Sequence, residues 1–199
     1  NALIHRSTPL CSGLNLLVIG SQSCTDVEQN VQVLSRILAA CKDLHGVALS
    51  RYMIGELGLG MIPLLKALSL KHLVFIDSGL TETKADYLCR ALLDQKESLE
   101  SLVLSHPGMT NAFVTKILVT LRFCQQLTSL CLSGCTVSAN TLWDLASLLP
   151  KWHRLSLLSL HQNDLRGAGE KANLFATSVA CCKSLKELRM PVEALVAVQ

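Results

Sequence analysis

A few cysteines in this chain stand at spacings that could support metal or redox chemistry. Cys131 and Cys135 are four residues apart, but no nearby Cys or His completes the four-ligand set of a structural zinc site. Cys181 and Cys182 are adjacent at a predicted helix end, where neighbouring side chains point in different directions. The sequence therefore predicts no metal site.

Glycines and hydroxyl residues raise two further possibilities, phosphate binding and nucleophilic catalysis. Gly55, Gly58 and Gly60 do not fit the spacing G-x-G-x-x-G, and no Lys-Ser or Lys-Thr follows them, so they predict a turn. No Ser, His and acid can be assembled into a nucleophilic site. We therefore predict no catalytic residues, no cofactor and no enzymatic activity.

The amino-acid composition limits the classes of molecule that the chain could bind. Hydrophobic residues make up 50% of the 199 residues and aromatics 4%, with a net charge of +3. Acids and bases are interspersed, which disfavours a nucleic-acid partner. The longest apolar stretches are too short or too interrupted for a membrane-spanning helix of about 20 residues. We expect a protein partner and no membrane contact.

The spacing of the nine cysteines indicates the cellular compartment of the protein. They lack the tight spacing of a small secreted disulfide framework, which favours a reducing compartment and a cytoplasmic protein. The chain opens on Asn1 and shows no signal-peptide pattern. We expect it to be a fragment of a longer intracellular protein.

A repeat accounts for most of the apolar residues. An apolar residue followed by others three, five and ten positions later recurs in seven units, with starts separated by 26 to 30 residues. The starts are Leu14, Leu44, Leu70, Leu99, Leu127, Leu155 and Leu185. Positions are numbered from each start, so that Leu130 is position 3 of the fifth unit and Cys124 is its position −3.

Each unit has two halves with different periodicity. Residues 127–132 alternate apolar and small polar side chains, which predicts a strand with one buried face. Phe113, Ile117, Leu118 and Leu121 follow helical spacing. We therefore predict a single α/β solenoid domain over residues 1–199, with about seven strand–helix units, a parallel sheet on the concave side and helices on the convex side.

This pattern resembles the long leucine-rich repeat of the ribonuclease-inhibitor type, over almost the whole chain. The segment 155–165 carries Asn163 at the turn and is followed by Gly169 at the helix start, and Cys135 occupies the same turn position in the preceding unit. The other units depart from the pattern at this position, with Gln22, Tyr52, Ser78, Pro107 and Glu193. The resemblance implies a horseshoe, with irregular turns in those units and an abbreviated helix in the shortest one, around residues 55–63.

A second recurring position is −3, which predicts a buried residue at a helix end. Free Cys behaves there as a small hydrophobe. Four units place cysteine at this position: Cys11, Cys41, Cys124 and Cys182.

The predicted binding surface is the concave face. Because positions 3 and 5 face inward, positions 2, 4 and 6 face the concave side. We select ten residues there as candidate protein contacts: Leu16, Val18, His72, Val74, Ile76, Val103, Cys131, His161, Glu187 and Arg189. This face is either a smooth groove for a helix or another domain of the same chain, or it is unspecialised and contacts are made by loops such as 151–154, which contains Trp152.

The degenerate turns and helix cysteines are similar to those of the C-terminal repeat region of NOD-like receptors. That resemblance implies ligand sensing and autoinhibition in innate immunity, with a nucleotide-binding motor upstream. A scaffold or inhibitor of the ribonuclease-inhibitor kind is an alternative, although it would carry more charge on the concave face. A GTPase-activating protein resembling that for Ran is disfavoured, because no catalytic arginine or acidic tail can be assigned. We predict a non-catalytic protein-interaction module.

Overall fold

The computed structural model describes residues 15–20, 27–41, 43–50, 65, 68–77, 80, 82–166 and 168–191. Seven parallel strands form one sheet in chain order: β1 (Leu16–Gly20), β2 (Gly46–Ser50), β3 (His72–Ile76), β4 (Ser101–Ser105), β5 (Ser129–Leu132), β6 (Leu157–Ser159) and β7 (Glu187–Arg189). The helices of the described residues are α1 (Val27–Ala40), α2 (Glu82–Asp94), α3 (Asn111–Leu121), α4 (Ala139–Leu148) and α5 (Gly169–Cys181), with a short 3-10 helix at Leu149–Lys151.

The strands have the same spacing as the predicted units. Each of the seven begins two residues after its predicted unit start. The register pairs equal positions of successive units, as in Val74 with Val103 and Val103 with Cys131. Because helices are about 10 Å across and strands lie about 4.8 Å apart, the sheet must line the inner side of the array. The chain is an α/β leucine-rich-repeat solenoid.

The core lies between the sheet and the helices. In the fifth unit the framework residues Leu127, Leu130 and Leu132 are fully buried, and they pack with Leu142 and Leu145 of α4. The apolar face predicted for α3 is likewise buried. No helix in the described parts of the chain is long and apolar enough to cross a membrane.

The last unit departs from the predicted burial. Leu188, at position 3, was expected to face the core, yet it is 37% exposed. Within the described residues β7 pairs with β6 alone, so no following unit covers this side chain. Burial in this fold therefore comes from neighbours on both sides.

Trp152 requires a correction. Its side chain, selected as a possible contact in the loop 151–154, is not accessible to a partner, because it is 1% exposed and its Nε1 donates a hydrogen bond of 3.0 Å to the Leu121 carbonyl. Trp152 occupies position −3, the position of the recurring cysteines. Leu121 is the last residue of α3, and its carbonyl also accepts from the Cys124 amide at 2.9 Å, so Trp152 adds a second hydrogen bond from the next unit. Trp152 therefore stabilises the end of the preceding helix.

The cysteines at this position make weaker versions of the same contact. The Cys124 thiol donates to the Leu92 carbonyl at 3.9 Å, and the Cys182 thiol donates to the Leu149 carbonyl at 3.8 Å. The predicted burial is confirmed for Cys41 and Cys124, whereas Cys182 is half-buried. Cys11 lies outside the described residues.

In the fourth unit, a different residue makes the hydrogen bond to the backbone of the preceding unit. Position −3 is Lys96, which is exposed, and the neighbouring Gln95 is buried instead. Its Nε2 donates to the Leu65 carbonyl at 2.9 Å, and its Oε1 accepts from the Leu70 amide at 2.8 Å. The requirement is therefore a hydrogen-bonding side chain at this place, not a particular residue type.

Asn163 joins two units through its buried side chain. Its Oδ1 accepts from the amides of Cys135 and Val137 at 2.9 and 3.1 Å. Its Nδ2 donates to the carbonyls of Leu132 and Leu160 at 2.6 and 2.8 Å. The predicted turn role of Asn163 is confirmed. Among the departing turn residues, Pro107 lies in an exposed turn and the other four fall outside the described residues, as do residues 55–63.

Helix α5 begins at Gly169, as the sequence predicted. Its φ of +47° lies in the left-handed region, which glycine adopts without the steric cost of a Cβ.

We expect Leu130→Asp to unfold the array, since it buries an unpaired charge in the sheet core at a cost of at least about 4 kcal/mol. Urea denaturation followed by circular dichroism measures the loss. Ser129→Asp is the matched control, because Ser129 is the preceding residue and lies half-buried on the opposite face. Equal stability of the two variants would contradict the orientation of β5.

We expect Asn163→Ala to lower the free energy of unfolding by roughly 3 kcal/mol or more, because buried amides and carbonyls of two units lose their partners. The same urea titration measures it. Asp164→Ala, which removes an exposed ion pair with Arg166, is the control and should cost much less. A loss at Asn163 no larger than at Asp164 would show that the turn does not depend on this side chain.

Candidate protein-binding surface

The concave face comprises positions 2, 4 and 6 of the units. The register aligns each position across the sheet, and in β3 to β5 these residues alternate with fully buried ones. Position 4 runs through Val18, Ala48, Val74, Val103, Cys131, Ser159 and Arg189. In β3 to β5 the burial alternates as predicted for these columns, and their role in binding is a proposal.

The first three strands form an apolar section. Val18 is 66% exposed, Leu16 52% and Ile76 41%, and Val74 lies half-buried among these strands. The face is therefore most apolar at β1 to β3.

Gly46 shapes this apolar section. A Cβ on Gly46 would lie 2.9 Å from Cδ1 of Leu16 and 3.4 Å from Cβ of His72. Glycine thus lets the Leu16 side chain extend across β2 towards the exposed His72. A larger residue at position 46 would displace the most prominent apolar group of β1.

The middle strands carry small polar side chains. Val103 and Cys131 are half-buried, and the Cys131 thiol lies 3.1 Å from the Ser133 hydroxyl, which in turn lies 3.3 Å from that of Ser159. Ser159 was predicted to be accessible on this face, but it is 3% exposed. Its register neighbours Cys131 and Arg189 are both larger and flank it. The side chains of this section are consequently small and protrude little from the sheet.

Charge enters the face at its last strand. Arg189 Nε lies 2.6 Å from Glu187 Oε1, and both side chains are exposed. His161, in the turn after β6, is also exposed. The concave face therefore changes along the array from apolar, through small and polar, to a charge-paired end.

A His–Asp pair lies at the rim, at the end of β3 and β4. His106 Nδ1 is 3.8 Å from Asp77 Oδ1, and it has no hydrogen-bond partner among the described residues. The repeat spacing gives no sign of this pair. Asp77 has a φ of +48°, a conformation that Asp adopts more readily than most residues.

An exposed tryptophan on the helix side was missed by the sequence analysis. Trp143 of α4 is 53% exposed, while the neighbouring Leu142 and Leu145 are buried. The helical spacing already separates Trp143 from the apolar face formed by Leu142, Leu145, Leu148 and Leu149. The period of the helix could therefore have identified Trp143, rather than Trp152, as the accessible one.

The thiols have different surroundings. Cys135 is buried and its Sγ donates to the Leu104 carbonyl at 3.1 Å, while Cys131 lies on the concave face, which confirms their predicted opposite orientation. Burial raises the pKa of the Cys124 and Cys135 thiols to about 12. Cys181 is exposed beside the half-buried Cys182. The described residues contain no group of three or more potential metal-ligating side chains.

We expect Cys181 to be alkylated by iodoacetamide at least about a hundredfold faster than Cys124 or Cys135 at about pH 8, because the thiolate is the nucleophile and the buried thiols remain protonated. Peptide mapping of the folded protein measures the rates, and the same reaction in urea, where all sites are open, is the control. Alkylation of Cys135 at the rate of Cys181 in the folded protein would contradict this burial.

No protein-family model matches the chain, and no curated protein matches it. Among solved structures it is similar to an internalin from Listeria monocytogenes, with 14% identity and a TM-score of 0.38, over 89% of this chain and 54% of that one. This chain thus spans about half the length of that protein. At this TM-score the similarity supports no inference about function, and the fold assignment depends on the strand pairing and the repeat.

Proposed function

We propose that this chain is a non-catalytic protein-interaction module whose partner binds the concave face. The main observation in support is the apolar section of β1 to β3, where Leu16, Val18 and Ile76 are each more than two-fifths exposed. Adjacent apolar side chains on an open sheet face lose water favourably when a partner covers them, and such patches typify interaction sites.

The charges of the concave face favour a protein over a nucleic acid. Among its described residues the one Lys or Arg is Arg189, and Glu187 neutralises it. A nucleic acid requires several unpaired cations along its phosphates. The low middle section, with Ser129 and Ser133, lets a helix or another domain of the same chain approach closely.

For the parent protein we propose the ligand-sensing or autoinhibitory repeat region of a cytoplasmic innate immune receptor. The support is the resemblance of the turns and helix cysteines to NOD-like receptors. The buried thiols of Cys124 and Cys135, which are not in disulfides, agree with a reducing compartment. A nucleotide-binding motif upstream in the full-length sequence would be expected.

The alternatives receive less support from the concave face. An inhibitor of the ribonuclease-inhibitor kind would be expected to carry more charge than the Glu187–Arg189 pair supplies on the described concave face. A Ran-type GTPase-activating protein would require a catalytic arginine, and Arg189, the arginine on this face, is held by Glu187.

The variant Val18→Glu with Ile76→Glu tests the concave site. We expect it to lower partner affinity by at least about tenfold, since each substitution places a charge in an apolar contact. Val74 and Val103 are less suitable together, because they are register partners and two glutamates would repel across the strands. Quantitative affinity capture from cytosol, followed by titration of the captured protein, gives the measurement.

The matched control is Val33→Glu with Val119→Glu, on exposed helix positions with the same change of net charge. Thermal denaturation checks that both variants fold. A protein held by the wild type and the control but released by the concave variant supports the proposal. Identical retention by all three proteins would refute it.

A further inference from the structure

A cleft lies at the edge where the strands begin, between the loops that precede β6 and β7. Its volume is about 180 Å³. Its apolar wall is formed by Leu149, Pro150 and Trp152, and its polar rim includes His153, Lys183 and Ser184. The cleft is outside the concave face, so it is independent of the surface described above.

The two loops that form the cleft are basic. His153 and Lys183 line the cleft, and Lys151 and Lys186 lie two and three residues from them in sequence. All four side chains are exposed, and residues 149–154 and 181–186 contain no Asp or Glu. Among the described residues no ion pair involves the three lysines. The nearest carboxylate in sequence, that of Glu187, is held by Arg189 at 2.6 Å. These cations are therefore available to a ligand.

The repeat pattern does not require basic residues in these loops. Position −2 is Glu97 in the fourth unit and Gln125 in the fifth, but His153 in the sixth and Lys183 in the seventh. All four side chains are exposed, so none is selected by the core. The edge thus changes from acidic to basic along the array while the fold stays the same.

We propose that this cleft binds an acidic peptide segment that inserts one apolar side chain. Carboxylates on both sides of that side chain face Lys183 and Lys186 on one loop and Lys151 and His153 on the other. A cavity of about 150 Å³ holds a benzene-sized group, so the cleft has room for one Leu or Phe side chain. Charge complementarity selects an acidic partner and the apolar wall fixes its register.

A protein segment fits this cleft better than a nucleic acid does. The ring of Trp152 is buried, so its face is closed to base stacking. A phosphate backbone following the edge would also meet Glu97 and Glu100, which are exposed and half-buried, two units away. The basic residues are confined to the two loops of the cleft, which matches the length of a short acidic segment.

The test is fluorescence anisotropy with a fluorescein-labelled peptide in which glutamates flank a central leucine. We expect binding that weakens severalfold between about 50 and about 300 mM salt, because the rim charges are exposed and screened. Lys183→Glu with Lys186→Glu should lower affinity about tenfold, by replacing two attractions with repulsions. A peptide with serine in place of leucine should bind more weakly.

Two controls separate the site from net charge and from the concave face. Arg36→Glu with Arg90→Glu makes the same charge change on exposed positions of α1 and α2, and it should leave affinity unchanged. The Val18→Glu, Ile76→Glu variant should also bind the peptide normally, so failure here and failure of the concave proposal can be told apart. Thermal denaturation confirms that each variant is folded.

Several results would overturn the proposal. These are no binding of the peptide, an equal loss in the Arg36, Arg90 control, or equal affinity for the leucine and serine peptides. Tighter binding of an oligothymidylate of matched charge would instead make this edge a nucleic-acid surface.

Discussion

Successive units of this solenoid bury each other's apolar side chains, and the rest of the structure depends on that contact. Leu102, Leu130 and Leu158, at position 3 of adjacent units, are fully buried, whereas Leu188, with a described neighbour on one side alone, is 37% exposed. Each such burial is worth roughly 1.5 to 3 kcal/mol gross. Framework positions are therefore fixed by packing, and chemical variation is confined to positions 2, 4 and 6 and to the loops.

Stacking also joins the end of one unit to the next through unlike side chains. Cys124, Trp152 and Cys182 each donate to a carbonyl at or near the end of the preceding helix, and Gln95 donates to the Leu65 carbonyl. Each of these carbonyls also accepts from the backbone amide three residues later, so the side chain adds a second hydrogen bond that links two units. The tryptophan and the cysteines at this place are thus explained by the stacking of successive units.

The sequence predicts the structural features that recur with the period of the repeat. Strand starts, register, the buried face of α3 and the turn role of Asn163 all follow from spacing, because one inter-unit contact recurs along the chain. Trp152 was misjudged because its residue type suggested a hot spot, although its position −3 predicted burial. Ser159 and the Asp77–His106 pair could not be foreseen, since they depend on the side-chain sizes and turn geometry of neighbouring units. The same holds for the cleft, which needs two loops to meet.

Both proposed surfaces use residues whose side chains lie outside the packed framework of the units. Val18 and Ile76 point away from the core, and Lys183 and Lys186 extend from loops whose neighbouring positions, Cys182 and Ser184, make the structural hydrogen bonds. In a repeat array, stability is approximately the sum of units and their interfaces. Substitutions at these outward positions remove no interface between units, so their effects on binding can be separated from effects on folding. The residues that we propose to bind partners are therefore different from the residues that stabilise the fold.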